Sequence, residues 1–173
     1  MAVVVMGVSG CGKSTIGTAL ARALGLPFLE GDSLHPPANV AKMAAGHPLD
    51  DADREPWLDL VGRWLADGPP TGPGGGVAAC SALARRYRDR LRSHAPGAWF
   101  LELDVDREVL LRRVAGRRGH FMPPSLVDSQ LATLELLAAD EAGIRVSSER
   151  PLRQVVATAV AALETVGIRP AGG

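Results

Sequence analysis

Gly7-Val8-Ser9-Gly10-Cys11-Gly12-Lys13-Ser14, followed by Thr15, fits the pattern G-x-x-x-x-G-K-[ST]. Each position has a physical reason. The glycines let the backbone curl until several N–H groups point at one anion. A lysine at Lys13 reaches the β- and γ-phosphates, and a hydroxyl at Ser14 is placed to ligate Mg²⁺. Such a loop needs a strand before it and a helix after it. Ala2–Met6 is a short apolar, β-branched run that reads as a buried strand. Thr15–Leu24 has helical spacing at Ile16, Leu20 and Leu24, with Gly25 as its stop. The helix start adds its dipole to the anion site. The stretch therefore predicts a bound nucleoside triphosphate. Gly7, Ser9, Gly10, Cys11, Gly12, Lys13, Ser14 and Thr15 are its expected contacts. Cys11 reads as a small filler offering its backbone N–H, not as a reactive thiol.

A chain of 173 residues with 46% hydrophobic residues is long enough for one sizeable core, so residues 1–173 read as a single domain. Lys+Arg 19 equals Asp+Glu 19, which gives no bulk charge signal for nucleic acid or a membrane surface. Lysine occurs only at Lys13 and Lys42, the other positive charges being arginines. A retained lysine hints at a compact ammonium where a guanidinium would not serve. Cys11 and Cys80 form no C-x-x-C motif and are expected as free thiols in a reducing compartment. With no signal-like h-region and no apolar run of membrane length, a soluble cytoplasmic protein is expected.

Outward from the loop, Leu26–Leu29 reads as a second strand ending at Glu30-Gly31-Asp32. Ligands gather beyond the carboxyl ends of strands in open α/β sheets, which puts Asp32 where the triphosphate is expected. It would accept a proton from a substrate hydroxyl, hold the Mg²⁺ shell through water, or merely cap the next segment. Ala38–Ala45 is a short helix with Asn39 and Lys42 one turn apart. Asp50–Asp67 is a longer helix, with Pro56 placed in its first turn and Trp57, Leu60, Val61, Trp64 and Leu65 as its apolar stripe. Arg54 lies one turn before Trp57 on the buried side, and an inward arginine needs an anion. Asp50, Asp51 or a bound acid would serve equally. The two tryptophans read as core.

Val77–Cys80 is a third strand, followed by a helix to about Ser93 whose first turns carry Arg85 and Arg88 near the rim. Trp99–Asp104 is a fourth strand, and Asp106 caps a helix bearing Val109, Leu110 and Val114. Arg112, Arg113, Arg117 and Arg118 beside Gly119 read as a mobile lid of about 117–137 that closes on the triphosphate and excludes water. Ser125–Leu137 is helical, Gly143–Val146 a fifth strand, and Pro151–Val166 a last helix with Leu152, Val155, Val156, Ala159, Val160 and Leu163 inward. This alternation predicts an α/β fold, a parallel sheet with helices on both faces. Strand order is not legible.

Four segments together, Gly7–Ser14, Gly31–Leu58, Cys80–Arg92 and Arg117–Glu135, resemble gluconate kinase of the shikimate and nucleoside-monophosphate kinase-like P-loop group. The stretch H-P-x-x-N-x-x-K-M within Gly31–Leu58 is far more specific than the loop. The resemblance implies a three-layer α/β/α P-loop kinase fold with a five-stranded parallel sheet and a lid. It implies transfer of the ATP γ-phosphate to the 6-hydroxyl of D-gluconate, with Mg²⁺, and commonly a homodimer. Carried over by position, Lys13 and Ser14 are the phosphate and Mg²⁺ residues and Asp32 faces the substrate hydroxyl. His35, Lys42, Arg54 and Arg88 lie on the substrate side. Arg113 and Arg117 are the nucleotide and lid arginines, and His120 and Gln130 the lid-side substrate motif. Lys13, Asp32 and Arg117 are thus the catalytic set. Two positions depart from the pattern: Ala84 stands where the family usually has Lys, and Leu136 where it usually has Pro.

Phosphoryl transfer needs positioning and charge stabilisation more than covalent chemistry. A sugar acid adds the need for a cationic clamp, and Arg54, Lys42, Arg88 and His35 are the right types to supply it. A kinase for another small acid such as shikimate, or for a nucleotide, would share the fold. A guanine-reading switch would want N-K-x-D, which does not occur.

Overall fold

The computed structural model describes residues 1–70, 72, 74–116 and 124–167. Its strands are β1 (Ala2–Met6), β2 (Phe28–Glu30), β3 (Gly76–Ala79), β4 (Trp99–Asp104) and β5 (Gly143–Ser147). Its helices are α1 (Lys13–Leu24), α2 (Pro37–Ala44), α3 (Asp51–Asp67), α4 (Arg85–His94), α5 (Arg107–Ala115), α6 (Pro124–Thr133) and α7 (Leu152–Thr165), with a 3-10 turn at Gly31–Leu34. The five strands are all parallel, in the order β2-β3-β1-β4-β5.

β1 is central and wholly buried. Its alternation divides the core. Val3 and Val5 pack with Leu20, Leu24, Val155 and Leu163 of α1 and α7. Ala2, Val4 and Met6 pack with Trp57, Leu58, Val61 and Leu91 of α3 and α4. Period-2 side chains on a strand covered on both faces produce this three-layer arrangement. Because the strands are parallel, all their carboxyl ends, and the loops that follow, lie along one rim.

Several boundaries differ from the sequence expectation. β2 starts at Phe28, two residues later than expected. Pro56 lies in the second turn of α3, where its missing N–H removes one helical bond. A capping box holds the helix start: the Asp50 side chain accepts the Asp53 N–H and the Asp53 side chain accepts the Asp50 N–H. α6 ends at Thr133, not Leu137, because the next residues have other partners. The Glu135 N–H donates to the Leu83 carbonyl at 2.8 Å and the Leu137 N–H to the Glu102 carboxylate at 2.7 Å. Leu60 and Leu152, expected inward, are exposed.

Candidate active site

The phosphate loop bridges β1 and α1. Gly7, Gly10 and Gly12 hold positive φ, and Gly12 is the left-handed N-cap residue of α1. A Cβ at Gly7 would stand 2.8 Å from Cys11 Sγ, so the curl is closed to larger residues. The Gly7 N–H donates to the Ser81 carbonyl at 3.2 Å, which fastens the loop to the end of β3. Lys13 Nζ donates to the Val8 carbonyl at 3.1 Å and the Cys11 N–H donates to the same oxygen at 3.3 Å. Cys11 is buried beneath the loop. Ser14 and Thr15 are exposed on the first turn of α1. Ser9 donates its N–H to Gln130 Oε1 of α6 at 2.6 Å, so Gln130 sits on the phosphate loop.

Beyond β2, Gly31 leads to Asp32 in the 3-10 turn, and the Asp32 side chain is largely exposed at the rim. The His35 side chain is buried and stacks on Trp57, with ring centroids 4.1 Å apart and planes at 18°. Trp57 is therefore both core and platform, since its indole N–H also donates to the Gly31 carbonyl at 2.7 Å. His35 Nε2 lies 3.8 Å from Asp32 Oδ1. Burial lowers the His35 pKa; Asp32 opposes that shift and the Arg54 charge adds to it.

The three substrate-side cations fall into different environments. Lys42 Nζ donates to Asp53 Oδ2 at 2.5 Å and to Asp50 Oδ2 at 3.2 Å. Those bonds raise its pKa and lower that of Asp53. Arg88 is wholly buried. Its Nε and Nη2 grip the two oxygens of Glu141 at 2.7 Å each, and Nη1 donates to the Glu135 carbonyl at 2.9 Å. It therefore faces the segment after α6, not the rim. Arg54 alone of the three makes no ion pair among the described residues. Its Nε and Nη2 donate to the Leu49 carbonyl at 3.1 and 3.0 Å, and its guanidinium lies 5.2 Å over the Tyr87 ring. The carboxylates expected as its partners are engaged elsewhere. Asp51 accepts from Arg86 and from the Tyr87 hydroxyl, and Asp50 serves Lys42 and the cap of α3. Arg85, the other rim candidate, forms a forked pair with Asp140.

Arg113 of α5 reaches across to the loop region. It donates to the Cys11 carbonyl at 3.4 Å and to the hydroxyl and carbonyl of Ser148 at 3.1 Å each. It thus ties the phosphate loop to the turn before α7. Arg117 and His120 lie outside the described residues, as do residues 117–123 of the expected lid. Ala84 is buried as the N-cap residue of α4, and Leu136 is exposed. Cys80 is buried at the end of β3, and that burial pushes its thiol up to about 12, which leaves it unreactive.

Sequence reasoning missed Asp53 and Glu141 as organising residues, and it named Asn39 for its spacing to Lys42 without giving it a role. Asn39 is buried and donates to the Asp53 carbonyl at 2.8 Å. Its legible signal was the helical spacing to His35 and Lys42. Asp53 carried a signal too, as the fourth residue of a D-x-x-D cap. Glu141 had none, because its partner lies 53 residues away.

Three comparisons bear on this site. The family model described as shikimate kinase matches residues 9–161. The gluconokinase of Gluconobacter oxydans is 54% identical over 147 residues, covering 85% of this chain and 82% of that one. The thermosensitive gluconokinase of Escherichia coli is 44% identical over 144 residues, covering 82% and 75%. Among solved structures, a gluconokinase from Sinorhizobium meliloti aligns with a TM-score of 0.84 at 48% identity, covering 95% of this chain and 92% of that one.

Proposed function

The chain belongs to the gluconokinase family within the shikimate kinase-like P-loop group, and from that premise we infer that it phosphorylates D-gluconate at the 6-hydroxyl, with ATP as donor, giving 6-phospho-D-gluconate and ADP. The observation that carries the substrate side is the state of the three cations. Lys42 and Arg88 already hold carboxylates, whereas Arg54, among the described residues, meets no carboxylate and holds the Leu49 carbonyl and the Tyr87 ring face. A half-buried guanidinium without a carboxylate, on the same helix as the Trp57 platform, suits the carboxylate of a sugar acid. We assign Arg54 to that carboxylate, and Lys42 and Arg88 to holding the walls in place. The family model's name raises shikimate as a rival acceptor. The H-P-x-x-N-x-x-K-M stretch around His35 and Lys42 favours gluconate.

Asp32 at the rim orients the attacking hydroxyl and takes its proton. Lys13 leaves the Val8 carbonyl for the phosphates, while the loop N–H groups and the start of α1 hold the anion. Arg113 stays beside the nucleotide end of the loop, and Arg117 and His120 complete the lid side. The donor set fits Mg²⁺. The Ser14 hydroxyl is exposed at the loop, and among the described residues no group of three or more His, Cys, Asp or Glu would hold a metal without phosphate oxygens. When bound, the ion neutralises charge on the transferring phosphoryl group. We read 1–173 as one kinase domain with a lid of about 117–137. No helix among the described residues is long and apolar enough to cross a membrane, and we place the protein in the cytoplasm.

We also infer a homodimer through α7. Arg153, Val156, Ala157, Val160, Ala161 and Glu164 line a groove of about 540 Å³ with Ala19 and Ala23 of α1. An antiparallel pairing of two α7 helices sets Arg153 against Glu164, Val156 against Ala161 and Ala157 against Val160. In that register Arg153 meets an opposite charge and Val156 and Val160 each meet an alanine, a self-complementary arrangement of the kind a twofold interface uses.

The Asp32→Asn variant tests the chemistry. It is expected to keep ATP binding and to lose turnover by ~10²-fold or more. Near-normal turnover would return Asp32 to a structural role.

A further inference from the structure

We propose that Asn39 is a positioning residue that fixes the His35 imidazole as its neutral Nε2–H tautomer, with that N–H turned toward the Asp32 carboxylate. The inference rests on the assignment of Asp32 as the group facing the substrate hydroxyl. It begins at the Asn39 carboxamide, which is buried between α2 and α3. Asn39 Nδ2 lies 2.8 Å from the Asp53 carbonyl and 3.3 Å from His35 Nδ1. The Asp53 carbonyl only accepts, so it orients the amide with its NH₂ group inward; the flipped amide would set oxygen against oxygen. That NH₂ has a second hydrogen, and His35 Nδ1 is where it points. Nδ1 must then be the bare, accepting nitrogen. A neutral imidazole carries one proton, which is left on Nε2, and Nε2 is the nitrogen 3.8 Å from Asp32 Oδ1.

Every group around the ring agrees. Trp57 of α3 covers one face and fixes the ring plane. Asp32 from the 3-10 turn attracts a donor at Nε2, and Arg54 from α3 opposes a positive ring. The Asp53 carboxylate is turned away to Lys42. A second proton at Nδ1 would face the Asn39 NH₂, donor against donor, so the ring resists charging as pH falls; its burial acts the same way. Asp32 thereby gains an oriented N–H without a full positive charge beside it, which would lower its basicity. The H-P-x-x-N spacing supplies the parts: His35 just before α2, Asn39 buried on its first turn, and the pair four residues apart.

Long-range ¹H–¹⁵N correlation on histidine-labelled protein without substrate reads the tautomer, with His35→Gln assigning the signal. The wild-type protein is expected to show an unprotonated Nδ1 and a protonated Nε2. Asn39→Leu is expected to release the ring to a tautomer mixture. It should lower kcat by roughly 10-fold and leave KM for gluconate and for ATP within about two-fold. Asn39→Asp supplies a group that only accepts, so Nδ1 should become protonated and kcat should fall as pH drops through neutrality. A protonated Nδ1 in the wild-type protein overturns the proposal, as does wild-type tautomer and kcat in Asn39→Leu. The tautomer is read without turnover, so its failure is separable from failure of the Asp32 assignment.

Discussion

Gln130 Oε1 accepts the backbone N–H of Ser9 at 2.6 Å, across 121 residues of chain. Helix α6 is thereby joined to the phosphate loop, and with the Ser9 N–H committed to Gln130 this turn of the loop is held in shape before any nucleotide arrives. A preformed loop loses less conformational freedom on binding. Gln130→Ala is therefore expected to weaken ATP binding by about 5-fold, the worth of one net hydrogen bond. Calorimetric titration measures it, and unchanged or tighter binding would contradict the role given to Gln130.

Arg54 and Lys42 should separate cleanly. Arg54→Ala removes the guanidinium that makes no ion pair among the described residues and is expected to raise the gluconate KM by ~10-fold or more, the range of a charged hydrogen bond, with ATP binding intact. Lys42→Met leaves Asp50 and Asp53 facing each other without their shared cation, so its first effect is a lower Tm. Steady-state kinetics beside thermal melts distinguish the two. If Arg54→Ala melts early with its KM unchanged, Arg54 holds only the Leu49 carbonyl.

Glu141 predicts an acid limit to stability. Burial would raise its pKa, but bonds from Arg88, the Ala138 N–H and Arg92 outweigh it and hold the group at about 2, well below the ordinary carboxylate range. The folded state thus binds fewer protons than the unfolded chain between that value and the ordinary range. Stability from this cluster is full above the unfolded value and is lost as pH falls toward about 2. Glu141→Gln should flatten the pH dependence of denaturant midpoints over that window. It should also destabilise by roughly 3–5 kcal/mol at neutral pH, because Arg88 is left buried without its partner. A variant as stable as wild type at pH 7 would contradict this account of the Arg88 clamp.

The α7 pairing predicts a rescue. Arg153→Glu and Glu164→Arg each set like charges together across the twofold and should shift sedimentation toward monomer. The double variant restores both ion pairs and should restore the dimer. A dimer that persists in both single variants lies on another surface.

The architecture was legible where local pattern and burial agree. The apolar run of β1, the cap at Asp106 and the span of β4 were readable because each depends on neighbours in sequence. The end of α6 was not, because the strands and loops that claim residues 135–138 come from elsewhere in the chain. Among the site residues, type was legible and partnership was not. Arg54, Lys42 and Arg88 were grouped alike as substrate-side cations. Their difference is set by Asp53 and Glu141, whose spatial positions follow from tertiary packing. Arg88 illustrates the limit: its spacing put it near the start of α4, yet folding turned it wholly inward.

The central claim is phosphoryl transfer to the 6-hydroxyl of gluconate. ³¹P–¹H correlation of the products tests it most directly, with the protein supplied Mg-ATP and, in separate reactions, gluconate, other sugar acids, shikimate and nucleoside monophosphates. The account predicts a phosphate ester at C6 of gluconate, formed in step with ADP and faster than any ester in the other reactions. ADP without a gluconate ester, an ester at another carbon, or faster turnover of shikimate or a nucleotide would contradict it.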